Sequence, residues 1–372
     1  MKLSYIADIR LPTEKAHGVQ IMKTCEAFSL NGVDTELIVP WRFNYLKENP
    51  FAYYNIRRKF KITRIPSLDL VWLGRIGFWI HSLSFSLSVL FYLFLKKTHI
   101  IYSRDEIPLF CLCFFKTRVF WEAHINRYNY IIKRLLRKCS GIVTITEGLK
   151  NFYIKKEVQL NKIIVAPDAI DLDDFNNNHS QIEALKKFRL PSDKKIALYV
   201  GRLDGWKGQE TVFETSKLLP AEIQIVIMGG ETKQVELFKK EYPRIIFLGF
   251  RPYRELAENL ATADVLLLPN TGKNEISARF TSPLKLFAYM ASGNPIVASD
   301  LPSIREILNE NNSVLVESDD PQALLEGIKK VLQNKTLSDK IASNALNDVK
   351  EYTWQKRADK IFSFIKTCIN FK

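Results

Sequence analysis

Thirteen short apolar runs, separated by helical patterns, constrain this 372-residue chain more than any other feature. Seven of them (KLSYIAD, TELIVP, KITRI, HIIYS, RVFWEA, GIVTIT and KIIVAP) precede residue 168. Six more (KIALYVG, IQIVIMG, RIIFLG, DVLLLP, NPIVAS and SVLVE) follow residue 194. Runs this short and this continuously apolar read as strands of parallel sheets with helices covering both faces. Two series predict two doubly wound α/β domains, 1–175 and 182–353, and the Asn/Asp-rich stretch 167–181 is the natural linker.

The length suits two domains that each bury a core, and 47% hydrophobic with 25% charged residues is the balance of a folded chain. Five scattered cysteines argue against a disulfide framework or a Cys-based metal site and fit a reducing cytosol. The opening MKLSYIADI carries an Asp and no small-residue cleavage site, so it reads as a first strand rather than a signal peptide.

The formal charge of +14 is uneven: residues 42–138 hold 18 Lys and Arg against 5 Asp and Glu. No zinc-finger spacing, RNP-like strand or helix-turn-helix accompanies it, so nucleic acid is not the expected partner. An anionic membrane surface or lipid substrate fits better, with a solvated basic face as the plain alternative. Residues 76–95, IGFWIHSLSFSLSVLFYLFL, carry no acidic or basic side chain other than His81 and are flanked by Arg75 and by Lys96-Lys97. Three placements are open: a membrane span, a buried crossover helix, or a helix lying in the membrane plane. His81, four serines and the strand after this segment favour the crossover.

Two stretches of the second half carry chemistry. In KIALYVGRLDGWKGQETVFETSKLL, Arg202 and Lys207 lie in a turn with Gly201, Gly205 and Gly208 at a strand's carboxyl end, where doubly wound folds bind ligands. A phosphate site is the functional reading and a solvated loop the bland one. In ARFTSPLKLFAYMASGNPIVASD, Ser282 is expected as an N-cap and Pro283 in the first helical turn, giving a helix N-terminus beside Lys285 that suits an anion. Asp171 and Asp173 could be mistaken for a metal-binding pair, but turn and capping roles explain them more simply, and no metal is assigned.

These motifs, in this order, resemble the retaining, two-Rossmann (GT-B) glycosyltransferases of family 4. The likeness rests on GRLDGWKGQE, SPLKLFAYMASGNPIVASDLPSIREIL and YTWQKRADKI, and in the first half on PTEKAHGVQIMKTCEAFSLNG, IYSRDE, WEAHIN, TITEGLK and APDAIDLDDF. It implies an acceptor-binding N-terminal domain and a donor-binding C-terminal domain facing a central cleft. A C-terminal helix at 354–372 would pack back on the first domain, with Tyr352 and Trp354 securing it. By position, Arg202 and Lys207 match the cations that hold the donor diphosphate, and Ser282, Pro283, Leu284 and Lys285 match the loop whose amides approach the donor. Gly18, after His17, matches the loop that lets substrate come close to the backbone on the acceptor side. His124 matches a histidine that reaches the donor sugar. No cofactor or metal is implied, because cations and amide dipoles stabilise the departing diphosphate.

The family's acidic pair is absent, since its two slots hold Phe280 and Ala288. The second acid ordinarily accepts from the nucleotide ribose; Glu275, upstream, is a candidate for the donor sugar instead. Ala288 fits an introduced inactivating change, a natural weak-binding enzyme or a silent scaffold. The reading is a glycosyltransferase using a nucleotide-diphosphate sugar, UDP-linked before GDP-mannose. Its acceptor is expected to be a glycan or lipid-linked acceptor in surface-polysaccharide or oligosaccharide assembly at the cytoplasmic face of the membrane. A GT-B epimerase acting on the nucleotide sugar and a catalytically silent scaffold are the alternatives.

Overall fold

The computed structural model describes residues 1–116, 118–176 and 179–370, so Asn177 and Asn178 of the expected linker and the last two residues of the expected C-terminal helix lie outside the described residues. The chain divides into two compact units, Met1–Pro167 with Trp354–Lys372, and Asp168–Thr353. The division falls earlier than the expected end of the first domain at 175. Residues 168–175 join the second unit because the Asp168 and Ile170 amides donate to the Ser282 hydroxyl, at 3.0 Å, and to the Tyr352 carbonyl, at 2.9 Å.

All thirteen apolar runs are strands. The first unit contains β1 (Lys2–Ile6), β2 (Asp34–Pro40), β3 (Lys61–Ile65), β4 (Ile100–Ser103), β5 (Val119–Ala123), β6 (Gly141–Thr144) and β7 (Ile163–Val165). They form one parallel sheet in the order β3-β2-β1-β4-β5-β6-β7. The second unit contains β8 (Lys195–Val200), β9 (Ile223–Met228), β10 (Ile246–Gly249), β11 (Val265–Leu268), β12 (Ile296–Ser299) and β13 (Val314–Val316), ordered β10-β9-β8-β11-β12-β13. Chain order therefore reverses between β1 and β4 in one sheet and between β8 and β11 in the other. Such reversals open a crevice at the carboxyl ends of the strands. Both units are doubly wound, Rossmann-like α/β domains.

Five helices carry or border the functional side chains: α1 (Ala16–Leu30), α2 (Gly74–Leu95), α3 (Gln209–Leu218), α4 (Leu284–Ala291) and α5 (Trp354–Asn370). Helix α2 is the crossover between β3 and β4, but only one of its faces is buried, through Gly77, His81, Ser82, Phe85, Ser86, Val89 and Leu93. A wholly buried crossover helix is thus not what forms. Trp354 is buried at the start of α5. Tyr352 instead belongs to the second unit, its ring 5.4 Å from that of Phe287, so it does not dock the final helix as expected.

Candidate functional site

The second unit gathers cations at its switch point. From β8 the chain turns through residues 201–208 into α3, and Gly208 adopts φ 75°, a left-handed conformation. A Cβ there would lie 1.6 Å from the Pro269 carbonyl oxygen, so only glycine lets this turn press against the end of β11. Arg202 Nε sits 3.5 Å and Lys207 Nζ 3.9 Å from the same Asp204 carboxylate. Lys285, on the first turn of α4, has its ammonium 4.1 Å from the Tyr199 ring centroid, and the Cβ position of Gly201 is 3.5 Å from it. Arg202 and Lys207 thus share one acid, and Lys285 lies against the start of the same turn.

Lys285 Nζ is buried and has no hydrogen-bond partner among the described residues. Burial, with the charge of Lys207, pushes its pKa well below the ordinary lysine value, and burial with Arg202 pushes Lys207 down as well. A buried ammonium without an acceptor is costly, and an anion delivered to this crevice would relieve it. The N-terminus of α4 adds to the attraction. Pro283 is the N-cap and no side chain caps the helix, contrary to the role expected for Ser282, whose hydroxyl accepts from the Asp168 amide instead. The leading amides of Leu284 and Lys285 precede the first in-helix bond, which Leu286 N makes to Pro283 O at 2.9 Å.

Ala288 follows Lys285 by three residues and is fully buried within an apolar cluster with Leu286, Phe287 and Tyr289. The Tyr289 hydroxyl accepts from the Val200 amide at 2.9 Å, which pins α4 to the end of β8. Phe280, in the other acid slot, is buried at the end of a π-helical turn, Ile276–Phe280, and Glu275 stands exposed at the start of that turn. Loops containing such turns often serve function. Among the described residues no group of three or more His, Cys, Asp and Glu side chains is placed to share a metal ion. The Asp171 carboxylate caps its own short turn, accepting from the Asp173 amide at 3.2 Å.

In the first unit the carboxyl ends of β4 and β5 bring together a set that sequence reasoning only half found. His124 follows β5, and its Nε2 lies 2.7 Å from Oε1 of Glu122, a fully buried acid in the strand itself. The same oxygen accepts from Gln20 Nε2 of α1 at 2.5 Å and from Arg357 Nη2 of α5 at 2.8 Å, and the other accepts from the Tyr102 hydroxyl. Burial opposes the charge on Glu122, but Arg357 and the hydrogen bonds from His124 and Tyr102 outweigh it and hold the carboxyl well below its usual range. Because the carboxylate only accepts, His124 must donate through Nε2, leaving Nδ1 as the ring's second nitrogen. Burial and Arg104 hold the His124 pKa down to about 4, so the ring is neutral near pH 7 and Nδ1 is an acceptor.

His17 is partly buried near the same groups, its pKa pushed down to about 3 by burial, Arg104 and Lys15. Gly18 is placed differently from the expectation. It lies inside α1 rather than in a loop, and a Cβ there would be 2.2 Å from the Tyr54 hydroxyl, which bridges the Thr13 backbone through two bonds of 2.7 Å. The space beside Gly18 is therefore filled by protein. Glu122 could have been suspected from sequence, since an acid inside the apolar run VFWEA demands partners, whereas nothing local marks Arg357.

Comparison with known proteins shows what the chain as a whole is similar to. Residues 194–334 match the family model described as Glycosyl transferases group 1. A phosphatidyl-myo-inositol mannosyltransferase of Mycobacterium tuberculosis is 25% identical over 264 residues, covering 68% of this chain and 66% of that protein. The chain spans between half and two thirds of the length of curated relatives such as this one. Among solved structures, a sucrose-phosphate synthase from Thermosynechococcus elongatus superposes with a TM-score of 0.80 at 16% identity, covering 100% of both chains. The Anabaena protein HepE in complex with UDP-glucose gives 0.78 at 15% identity, covering 99% of this chain and 100% of that one. At these identities the structures show the fold alone: two Rossmann-like α/β domains, a fold this chain shares with them.

Proposed function

We propose that the protein is a glycosyltransferase that takes a sugar from a nucleotide-diphosphate sugar and passes it to a glycan or lipid-linked acceptor. The observation that carries this reading is the buried amino group of Lys285, which has no hydrogen-bond acceptor among the described residues, in the same crevice as Arg202, Lys207 and the uncapped start of α4. As the glycosidic bond breaks, the departing diphosphate gains negative charge, and cations with fixed amide dipoles stabilise that state more than the bound donor. In this reading they do the work a metal ion does elsewhere, and transfer proceeds with retention at the anomeric carbon. His124, neutral and oriented by Glu122, gives the first unit an acceptor of its own, Nδ1, suited to a sugar hydroxyl. A UDP-sugar is the first choice of donor, in keeping with the HepE complex, and GDP-mannose the second, in keeping with the mannosyltransferase relative. Ala288 leaves the ribose held by shape and water, so turnover is slower than an acid at that position would give.

Calorimetric titration with UDP, UDP-glucose and GDP-mannose tests the proposal. Arg202→Ala and Lys207→Ala each remove a charge-assisted contact worth about 1.5–3 kcal/mol, so each weakens nucleotide binding roughly tenfold to 150-fold. Wild-type affinity in both folded variants would overturn the site.

A further inference from the structure

Helix α2 is apolar on both sides, and the face it buries, with Phe85, Val89 and Leu93, is the one that also holds its polar groups. The face it turns to its own unit carries His81, Ser82 and Ser86: His81 Nε2 and the Ser82 hydroxyl each lie 2.7 Å from the Asp8 carboxylate, and the Ser86 hydroxyl donates to the Ser82 carbonyl at 2.6 Å. The opposite face carries Ile76, Ile80, Leu83, Leu87, Phe91 and Phe94, all exposed and recurring every three or four residues. At 1.5 Å per residue this stripe is about 27 Å long. It does not stand alone. The Leu68 amide donates to the Ser84 hydroxyl at 2.9 Å, and the Asp69 carboxylate accepts from Arg42 Nε at 3.0 Å and from the Phe43 amide at 3.3 Å. Segments 41–43 and 68–73 are thereby fixed at the start of α2. They add Trp41, Phe43 and Trp72, which are 69%, 80% and 78% exposed. Scattered exposed apolar side chains are ordinary in a folded protein, but a continuous apolar strip of this length marks an interaction surface.

We infer that this surface docks on an anionic lipid bilayer, with α2 lying in the membrane plane. Charge selects the occupant. The segment 42–138, which contains all of the strip but Trp41, holds 18 Lys and Arg against 5 Asp and Glu, and Arg75 and Lys97 stand exposed at the two ends of the helix. Basic residues beside anionic headgroups are attracted, aromatic rings settle at the interface, and the apolar stripe reaches the acyl boundary. A second copy of this chain docked on the same face about a two-fold axis would bring these cations against their like. A membrane span would break the Asp8 contacts and remove the buried face from its sheet. Because α2 starts where β3 ends, at the same end of the sheet as Asp8 and His124, the lipid surface would meet the unit beside its crevice. That placement suits a lipid-linked acceptor and rests on the transferase reading, but vesicle binding itself does not.

Flotation of the full chain with phosphatidylcholine vesicles, with and without phosphatidylglycerol, tests the surface. Binding is expected only with phosphatidylglycerol, is weakened by added salt and is released by alkaline carbonate. Leu87→Glu with Phe91→Glu should reduce it by about tenfold or more while leaving the melting temperature and nucleotide affinity unchanged, because both side chains are exposed; Ile182→Glu in the second unit should leave it intact. Failure to bind either vesicle, resistance to carbonate, or a solution dimer that the same double substitution dissociates would each overturn the proposal. Loss of vesicle binding with nucleotide binding retained separates it from failure of the transferase reading.

Discussion

In the first unit the carboxyl ends of β4 and β5 surround an acid, Glu122, whose charge is answered by Arg357, Gln20, Tyr102 and His124. In the second unit the matching ends of β8 and β11 surround cations, of which Lys285 lies over the Tyr199 ring but has no hydrogen-bond partner among the described residues. The two sheets reverse at corresponding places, so topology alone does not set what a crevice is for. A satisfied network holds a side chain in one orientation and one tautomer, whereas an unsatisfied charge waits for a ligand. The outer faces differ too, since the exposed tryptophans all belong to the first unit.

The contrast breaks most readily at Arg357. Arg357→Met leaves Glu122 buried without its ion-pair partner, and breaking a buried pair from one side costs about 3–5 kcal/mol, to be read from urea unfolding. Adding Glu122→Gln should recover much of that loss, because it removes the stranded charge. The wild-type pair has a defined pH signature. The folded pKa of Glu122 lies below its unfolded value, so its contribution is fully present above about pH 4.3 and disappears as pH falls through the depressed folded value. An unfolding free energy unchanged in Arg357→Met would show that the network is not what stabilises this end of the sheet.

A smaller effect sharpens the other side of the comparison. Residues three apart on a helix share a face, so Ala288→Glu places a carboxylate over the turn that carries Lys285. The expected outcome is a higher melting temperature without ligand, as the buried ammonium gains a partner. Nucleotide binding should also tighten by about 1.5–3 kcal/mol through the ribose, measured by calorimetry. A folded variant that is less stable and binds no better would show that apolar packing around the methyl group has closed this slot.

The smallest expected change concerns His124. Its folded pKa of about 4 lies below the unfolded value near 6.5, so between these limits the unfolded chain binds more protons and stability falls on acidification through that window. An NMR titration should show the His124 ring neutral from pH 8 down to about 5. A midpoint near 6.5 would mean that Arg104 and burial do not control this ring.

Much of this architecture was legible in the chain. Each strand is a local apolar run whose burial follows from its own composition, and the Gly-rich turn with Arg202 and Lys207 follows β8 directly. Local readings failed where a side chain found a distant partner. Ser282 is an ordinary N-cap candidate by spacing, but the Asp168 amide, 114 residues away, takes its hydroxyl. Gly18 reads as a loop glycine, but it falls in the first turn of α1, with the Tyr54 hydroxyl where a Cβ would lie.

What the sequence determined by itself was therefore the two doubly wound sheets and the cationic turn, because strand burial and glycine conformations are decided within a few residues. Tertiary structure alone decided that Glu122 pairs with Arg357, 235 residues away, since only the return of α5 to the first unit brings that guanidinium to the end of β5. It also decided which side of α2 faces out. A helix apolar nearly all round has no polar face to announce its orientation, and the choice was made by Asp8, which draws His81 and Ser82 inward and leaves the purely apolar stripe outside.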